Sequence, residues 1–438
     1  MCISKAREEN LVLTLEEGCC LSSTRGPIRH LVISSNWKRA KDVFDSMLDL
    51  WHVRSLTVYG EWRPYFISEK MRFLRVLDLE DTLRFKNHHL DEIGQLHHLR
   101  YLSIRENIWY LPNSIGNLSH LQTLDIKGTR IFELPATVTK LRKLRHLRTT
   151  GSLLGTENEN GRVFYKYWKM DCMRRHSMTW FHCRCLQCQG RMCHGGPALL
   201  LSLVKLYWST QRSELGWNMH DILNLHRSLW ACLHKCVDGV KAPGGTGKLA
   251  SLQTLGVVNV TRGKEKVIKE LSALTQLRKL GVAGIKEGNG KRSWSAIAAH
   301  NQLRSLTVHG DDIDGCLGTV ILKGEWVGVL SWEVRLGGGL FPPEHLESLK
   351  LIGRLHKVPQ WMQRLQYLSK LDLKGSRLDK ADEIETLGSL PNLAVLRLRG
   401  GAIVLEHLHF VGPSFPILLA LELNGEPNLV TFEKRRDA

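Results

Sequence analysis

The chain has 438 residues, 43% of them hydrophobic, enough to bury a large core and more than one compact globular domain usually holds. Its 61 Lys and Arg against 43 Asp and Glu give a formal charge of +18, yet the basic residues are scattered along the sequence and form no single stripe or RNA-binding motif, so no nucleic-acid partner is expected. No run of 18 apolar residues occurs, which excludes a membrane-spanning helix, and Met1 to Asn10 is too polar to read as a secretory signal. A cytoplasmic protein with reduced thiols is the expectation.

Residues 1–27 read as a link segment. From residue 28 a six-residue block recurs, apolar at its first, fourth and sixth positions. Ile28, Leu31 and Ile33 make the first, and Val53, Leu56 and Val58 the second. Leu74-Arg75-Val76-Leu77-Asp78-Leu79, Leu99-Arg100-Tyr101-Leu102-Ser103-Ile104 and Leu121-Gln122-Thr123-Leu124-Asp125-Ile126 follow, with a weaker start at Leu144 and Leu147. Successive starts lie 25, 21, 25, 22 and 23 residues apart. The block returns at Leu252, Leu277, Leu303, Leu346, Leu368, Leu393 and Leu418, at steps of 25, 26, 43, 22, 25 and 25. All but one step fit the period of a leucine-rich repeat, about 20–29 residues.

Each block reads as a short strand with its leucines pointing inward and the residues between them outward. Downstream apolar residues, such as Leu111, Ile115 and Leu118, supply the other side of the coil. Thr82, Asn107 and Thr129 fall just after the strand, where a short polar side chain can satisfy turning backbone amides. One repeat cannot bury its own apolar face, so neighbours must stack. The fold class that follows is α/β: a leucine-rich-repeat solenoid, or horseshoe, with a parallel sheet on its concave face, interrupted by a large irregular insertion. Repeats occupy 28–150 and 241–438, with a smaller insertion at 319–340.

The large break, residues 151–240, holds seven of the 11 cysteines and five of the 13 tryptophans without sustained periodicity. Three readings compete: a loop or disordered insertion, a small metal-binding module, or a stretch translated in error from non-coding sequence. His182, Cys183, Cys185, Cys188, Cys193 and His194 include thiols at zinc-ligand spacing, but a closed site wants a second pair, and Cys232 with Cys236 is imperfect and distant. No metal is expected.

Other motifs fail on inspection. Pro243-Gly244-Gly245-Thr246-Gly247-Lys248 resembles part of a phosphate loop, but Ala242 and Leu249 stand where that motif needs glycine and a hydroxyl residue. It reads as a repeat loop. The sequons at Asn117 and Asn259 adjoin positions that the repeat uses structurally. His88-His89 and His97-His98 read as solvated or helix-end residues. No catalytic constellation is present, so neither enzyme activity nor a cofactor is expected.

Leu99-Arg-Tyr-Leu, Leu111-Pro-Asn-Ser-Ile-Gly-Asn-Leu118, Leu121-Gln-Thr-Leu-Asp-Ile and Ile131-Phe-Glu-Leu-Pro135 resemble the repeats of plant intracellular nucleotide-binding leucine-rich-repeat disease resistance proteins of the coiled-coil type. Gly247 to Val260 and Leu274 to Leu280 look like the same family's middle repeats, and Ala6 to Leu11 is similar to its link before them. The resemblance implies a non-enzymatic recognition module in plant innate immunity, sensing pathogen proteins or restraining a nucleotide-binding switch. Its partners would be a pathogen effector, a host guarded protein or the receptor's own nucleotide-binding part. Two departures limit the carry-over: the phosphate loop is absent from this sequence, and Met219-His220-Asp221 spells a family motif in the wrong place. The alternative is a stand-alone intracellular scaffold of the Ras-pathway leucine-rich type.

Candidate protein-binding residues are those between and just after the leucines. In the early repeats they are Asp78, Glu80, Tyr101, Arg105, Asp125 and Lys127; in the late ones, Lys350, Lys370, Asp372, Lys374, Arg397 and Arg399. The late cations stack on strands about 4.8 Å apart, and such a ladder repels itself unless something acidic sits opposite. An acidic protein surface is therefore expected to bind the C-terminal half, beside the plainer reading of a solvated face with Asp372 as local relief.

Overall fold

A computed structural model describes residues 12–17, 28–39, 41–47, 50–105, 108–149, 239–261, 264–285, 287–310, 343–353, 355, 358–405, 407–410, 414–424 and 431–434. The expectations for 151–238, for 319–340 and for all 11 cysteines lie outside the described residues. Residues 1–151 and 237–438 form one unit.

That unit is built on a 14-stranded sheet in which the described strands pair in parallel and chain order is also spatial order. The early strands are β1 (Val12–Leu15), β2 (His30–Ile33), β3 (Ser55–Val58), β4 (Val76–Leu79), β5 (Tyr101–Ile104), β6 (Thr123–Asp125) and β7 (His146–Arg148). The late ones are β8 (Thr254–Asn259), β9 (Lys279–Ile285), β10 (Ser305–Gly310), β11 (Ser348–Ile352), β12 (Lys370–Lys374), β13 (Val395–Arg399) and β14 (Ala420–Asn424). Each of the thirteen sequence blocks starts one strand. The fourteenth, β1, comes from the segment expected to be a link: Val12 to Leu15 pair with His30 to Ile33 and extend the sheet by one position.

The inward leucines form one continuous core. Leu102, Leu124 and Leu396 are fully buried, and Leu280 and Leu371 nearly so, which is what stacking of identical apolar faces requires. On the far side of that core the chain returns in short helical turns. At Asn113–Asn117 and Ala136–Lys140 the preceding Pro112 and Pro135 hold extended backbone, with φ −70° and −66°, so the turn begins at a fixed residue. Ile115 and Val138 then point into the core. These turns stack closely: a Cβ on Gly116 would lie 2.6 Å from the Thr137 Cβ.

The two repeat blocks meet in ordinary register. Although 108 residues separate them, His146 pairs with Thr254 and Leu147 with Leu255. The Arg145 carbonyl accepts the Gln253 and Thr254 amides at 2.8 and 2.9 Å, just as the Gln122 carbonyl accepts those of Arg145 and His146. Lys241 and Phe132 join the outer loops, with Lys241 Nζ 2.6 Å from Glu133. Gly256 fits against Thr149, where a Cβ would come within 2.3 Å of the Thr149 nitrogen. The seam is one repeat wide.

Turn chemistry differs from expectation. Thr82 and Thr129 are buried and donate their hydroxyls to the Val58 and Ile126 carbonyls, at 2.8 and 2.7 Å, so they satisfy acceptors and not amides. The amides are taken two residues earlier. Asp78, Asp125 and Asn259 each accept, through Oδ1, the backbone N–H of the second residue along, at 3.2, 3.1 and 3.0 Å. Asn107 lies outside the described residues.

Candidate protein-binding face

Strand register converts the twelve candidate residues into rows. The residue after each inner leucine forms one row, running Asp78, Ser103, Asp125 and Arg148 in the early strands. In the late strands the same row reads Lys350, Asp372, Arg397 and Glu422. Sign alternates along the late row. Of the like-charge ladder expected from sequence, the register keeps the pair Lys374 and Arg399, which face each other in the next row, while Asp372 and Glu422 on neighbouring strands interrupt the rest.

Early in the sheet, Asp125 is only 2% exposed because two guanidiniums cover it. Arg105 reaches Oδ1 at 2.9 Å and Arg148 reaches Oδ2 at 3.3 Å. Arg105 also holds Glu80 at 2.8 Å. Burial opposes the charge on Arg105, but Asp125 and Glu80 outweigh it and raise its pKa. Burial raises the Asp78 carboxyl and the Tyr101 hydroxyl above their ordinary values. Lys127 is exposed. Asp125 is thus a buried clamp, not the open contact residue expected.

Late in the sheet, Asp372 sits between Lys350, 3.4 Å away, and Arg399, which engages both carboxylate oxygens. Burial pulls the Lys350 amine below its ordinary value, with Asp372 acting against that pull. Arg397 pairs with Glu422 at 2.7 Å. Glu422 was missing from the sequence-derived set because its role depends on the strand beside it. Lys370 is exposed and Lys374 half-buried.

A second charged feature also escaped the sequence reading. Arg29, Arg54, Arg75 and Arg100 each follow the leading residue of a block, and each carbonyl accepts two amides from the next repeat, as when Arg54 N and Ser55 N donate to Arg29 O at 2.7 and 3.1 Å. These positions therefore stack in one column. The expectation that the basic residues form no stripe holds along the sequence and fails in the fold.

The remaining motifs resolve locally. Thr246–Lys248 is a single helical turn, and Glu270 accepts the Gly245 amide at 2.8 Å, filling with a carboxylate the place a phosphate would take. Asn259 is fully buried. His89 is the first residue of a short helix (His89–Ile93), buried beside Trp62 and Phe85, whereas His97 and His98 are exposed on a turn. The Met219 motif and the cysteine cluster lie outside the described residues. Among the described residues, no group of three or more His, Cys, Asp or Glu could hold a metal, and no helix is long and apolar enough to cross a membrane.

The sequence matches the leucine-rich repeat region family over residues 52–158 and 220–436. The chain belongs to that family. Disease resistance protein Pik-2 from rice is 26% identical to this leucine-rich-repeat chain over 394 residues, which cover 89% of the chain and 32% of that protein. Disease resistance protein RGA4, also from rice, is 42% identical over 101 residues, 23% of this chain and 10% of that one. Among solved structures, an internalin from Listeria monocytogenes matches with 12% identity and a TM-score of 0.43, covering 94% of this chain and 87% of that chain. The repeats therefore match those of plant disease resistance proteins over most of the chain, and the chain spans about a third of the length of Pik-2.

Proposed function

We propose that this leucine-rich-repeat chain is a non-enzymatic protein-recognition module of plant innate immunity, acting in the cytoplasm. The observation that carries the reading is the alignment to Pik-2 across 89% of the chain. Its ligand is a pathogen protein, a host protein that the pathogen modifies, or the nucleotide-binding part of a receptor that the repeats hold inactive. Contact is made by the sheet face, through Glu80, Tyr101, Lys127, Lys350, Lys370, Lys374, Arg397 and Arg399, with Asp78, Asp125 and Asp372 setting their positions. Because so many of these charges already have partners within the sheet, they select among ligands more than they add raw affinity.

The test is genetic complementation. A plant line lacking the chain should lose resistance to at least one pathogen isolate and regain it with the wild-type gene. Reversing Lys350, Lys374, Arg397 and Arg399 to Glu should abolish rescue while the protein still accumulates. Full rescue by that variant would contradict the sheet face as the contact surface, and unaltered resistance without the chain would contradict the immune role.

A further inference from the structure

Aligning the blocks by their backbone hydrogen bonds exposes a pattern invisible along the sequence. The position after the leading apolar residue reads Arg29, Arg54, Arg75, Arg100, Gln122 and Arg145 through the early repeats. Across the seam it continues as Gln253, Arg278 and Arg304, then ends at Glu347. Nine successive positions carry only arginine or glutamine, and at a strand spacing of about 4.8 Å they span roughly 38 Å. All seven arginines except half-buried Arg54 are exposed.

Among the described residues, neither flanking row neutralises them. The flanking row on the sheet reads His30, Ser55, Val76, Tyr101, Thr123 and His146, without an acid. The flanking row on the turn side holds Phe73, His98, His120 and Lys143, also without one. Among the described residues, the one ion pair made by an arginine of the column is that of Arg304 with Glu347, at its end. Arg54 lies 4.8 Å over the half-exposed Phe73 ring, and its buried Nη1 has no hydrogen-bond partner. Beside the column, His120 lies 3.1 Å from the Lys143 amine, and Lys143 first, then burial, with His98 and Arg100 adding, drives its ring below the ordinary pKa.

We infer that this arginine column is a docking strip for an extended acidic segment of a partner protein. The inference rests on the reading of the chain as a protein-recognition module and adds a second surface to it. Unpaired guanidiniums in a line favour carboxylates, which they bind in bidentate fashion. The strip is one side chain wide, and two rows of strand positions further along lie the acids Asp78, Asp125 and Glu80. A duplex or a bilayer presents a broad anionic face, which a line of single side chains meets along one edge only. A single extended polypeptide fits beside the acids.

Glutamine already occupies the column at 122 and 253, so Arg→Gln is a substitution the fold accepts. The experiment uses the full chain and a fluorescent peptide of twelve alternating Glu and Asp residues, measured by anisotropy at low salt. Wild type should bind it, and Arg75→Gln, Arg100→Gln and Arg145→Gln combined should weaken binding at least about ten-fold with unchanged thermal unfolding. Substituting the exposed Lys266, Lys269 and Lys380 by Gln, an equal loss of charge away from both the column and the sheet face, should leave it within about two-fold. Equal weakening by both triple variants would show attraction to net charge alone and overturn the strip. Tighter, column-dependent binding of single-stranded DNA or of phosphatidylserine vesicles would overturn the acidic-polypeptide assignment. Loss of peptide binding without loss of disease resistance would leave the recognition reading standing and remove the strip from it.

Discussion

At the second position of the repeat block Arg75 and Arg100 stand exposed with no acid across from them, whereas three positions further along, in the row of Asp78, Ser103 and Asp125, the Asp125 carboxylate is covered and paired with Arg105 and Arg148. Both sets ride on the same strands and the same core. What separates them is the identity of the residue one repeat away. In the row after the inner leucines, arginine on one strand meets aspartate or glutamate on the next, as Arg397 meets Glu422. In the column arginine meets arginine. Like charges held at strand spacing cost free energy, and opposite charges return some, so the sheet face is internally settled and the column is not.

Several changes sharpen or break that contrast, and the largest concerns what the two regions share. Leu124→Ala removes a fully buried side chain under both and should cost about 2–5 kcal/mol in a urea melt. A loss under about half a kcal/mol would mean the core register is wrong. Asp125→Ala comes next. It strips the acceptor from Arg105, Arg148 and the Lys127 amide and should cost about 2–3 kcal/mol. Arg100→Gln in the column should change stability by less than about half a kcal/mol. If the two substitutions cost the same, the distinction between settled and unsettled charges fails.

Two histidines give a subtler comparison. Burial, with His88 and Lys86 adding, holds the His89 ring neutral down to about pH 4, and its Nδ1 accepts the Lys86 amide at 3.1 Å. The unfolded chain binds that proton near the ordinary value of about 6.5. As pH falls from about 6.5 towards 4 the unfolded state is therefore protonated first, and stability declines through that window while staying level above it. Allowing for partial hydration of the ring, the loss at about pH 5 should be roughly 1–2 kcal/mol, and His89→Gln should flatten the profile. His120 is depressed first by Lys143, then by burial, with His98 and Arg100 adding, so half-molar salt should move its NMR titration towards the ordinary value and leave His89 where it is. Equal salt response would contradict the assigned causes. Arg397→Ala should also cost little, under about 1 kcal/mol, because both partners of its pair are exposed.

The repeat was legible because leucines at alternate positions have a single inward role, and every leading residue found in sequence begins a strand. Strand β1 was not, since Val12 to Leu15 carry no preceding block and become a strand only by pairing with β2. Charge pairing was illegible for the same reason: Asp372 gains its partners from residues 22 positions before it and 27 after it, and register alone decides which. The column was spelled out twice as Leu-Arg in quoted blocks, but a letter repeated every 21 to 26 residues looks scattered until carbonyls align it.

The rows and the column run the length of the sheet only if the two repeat blocks are continuous, and amide hydrogen exchange tests that directly. Gln253 and Thr254 donate to the Arg145 carbonyl across a 108-residue separation, while Arg145 and His146 donate to the Gln122 carbonyl across an ordinary repeat. Continuity requires the Gln253 and Thr254 amides to be protected as strongly as those of Arg145 and His146. Exchange of Gln253 and Thr254 at the rate of an open strand edge, with Arg145 and His146 still protected, would mean the blocks are separate and the rows and column end at β7.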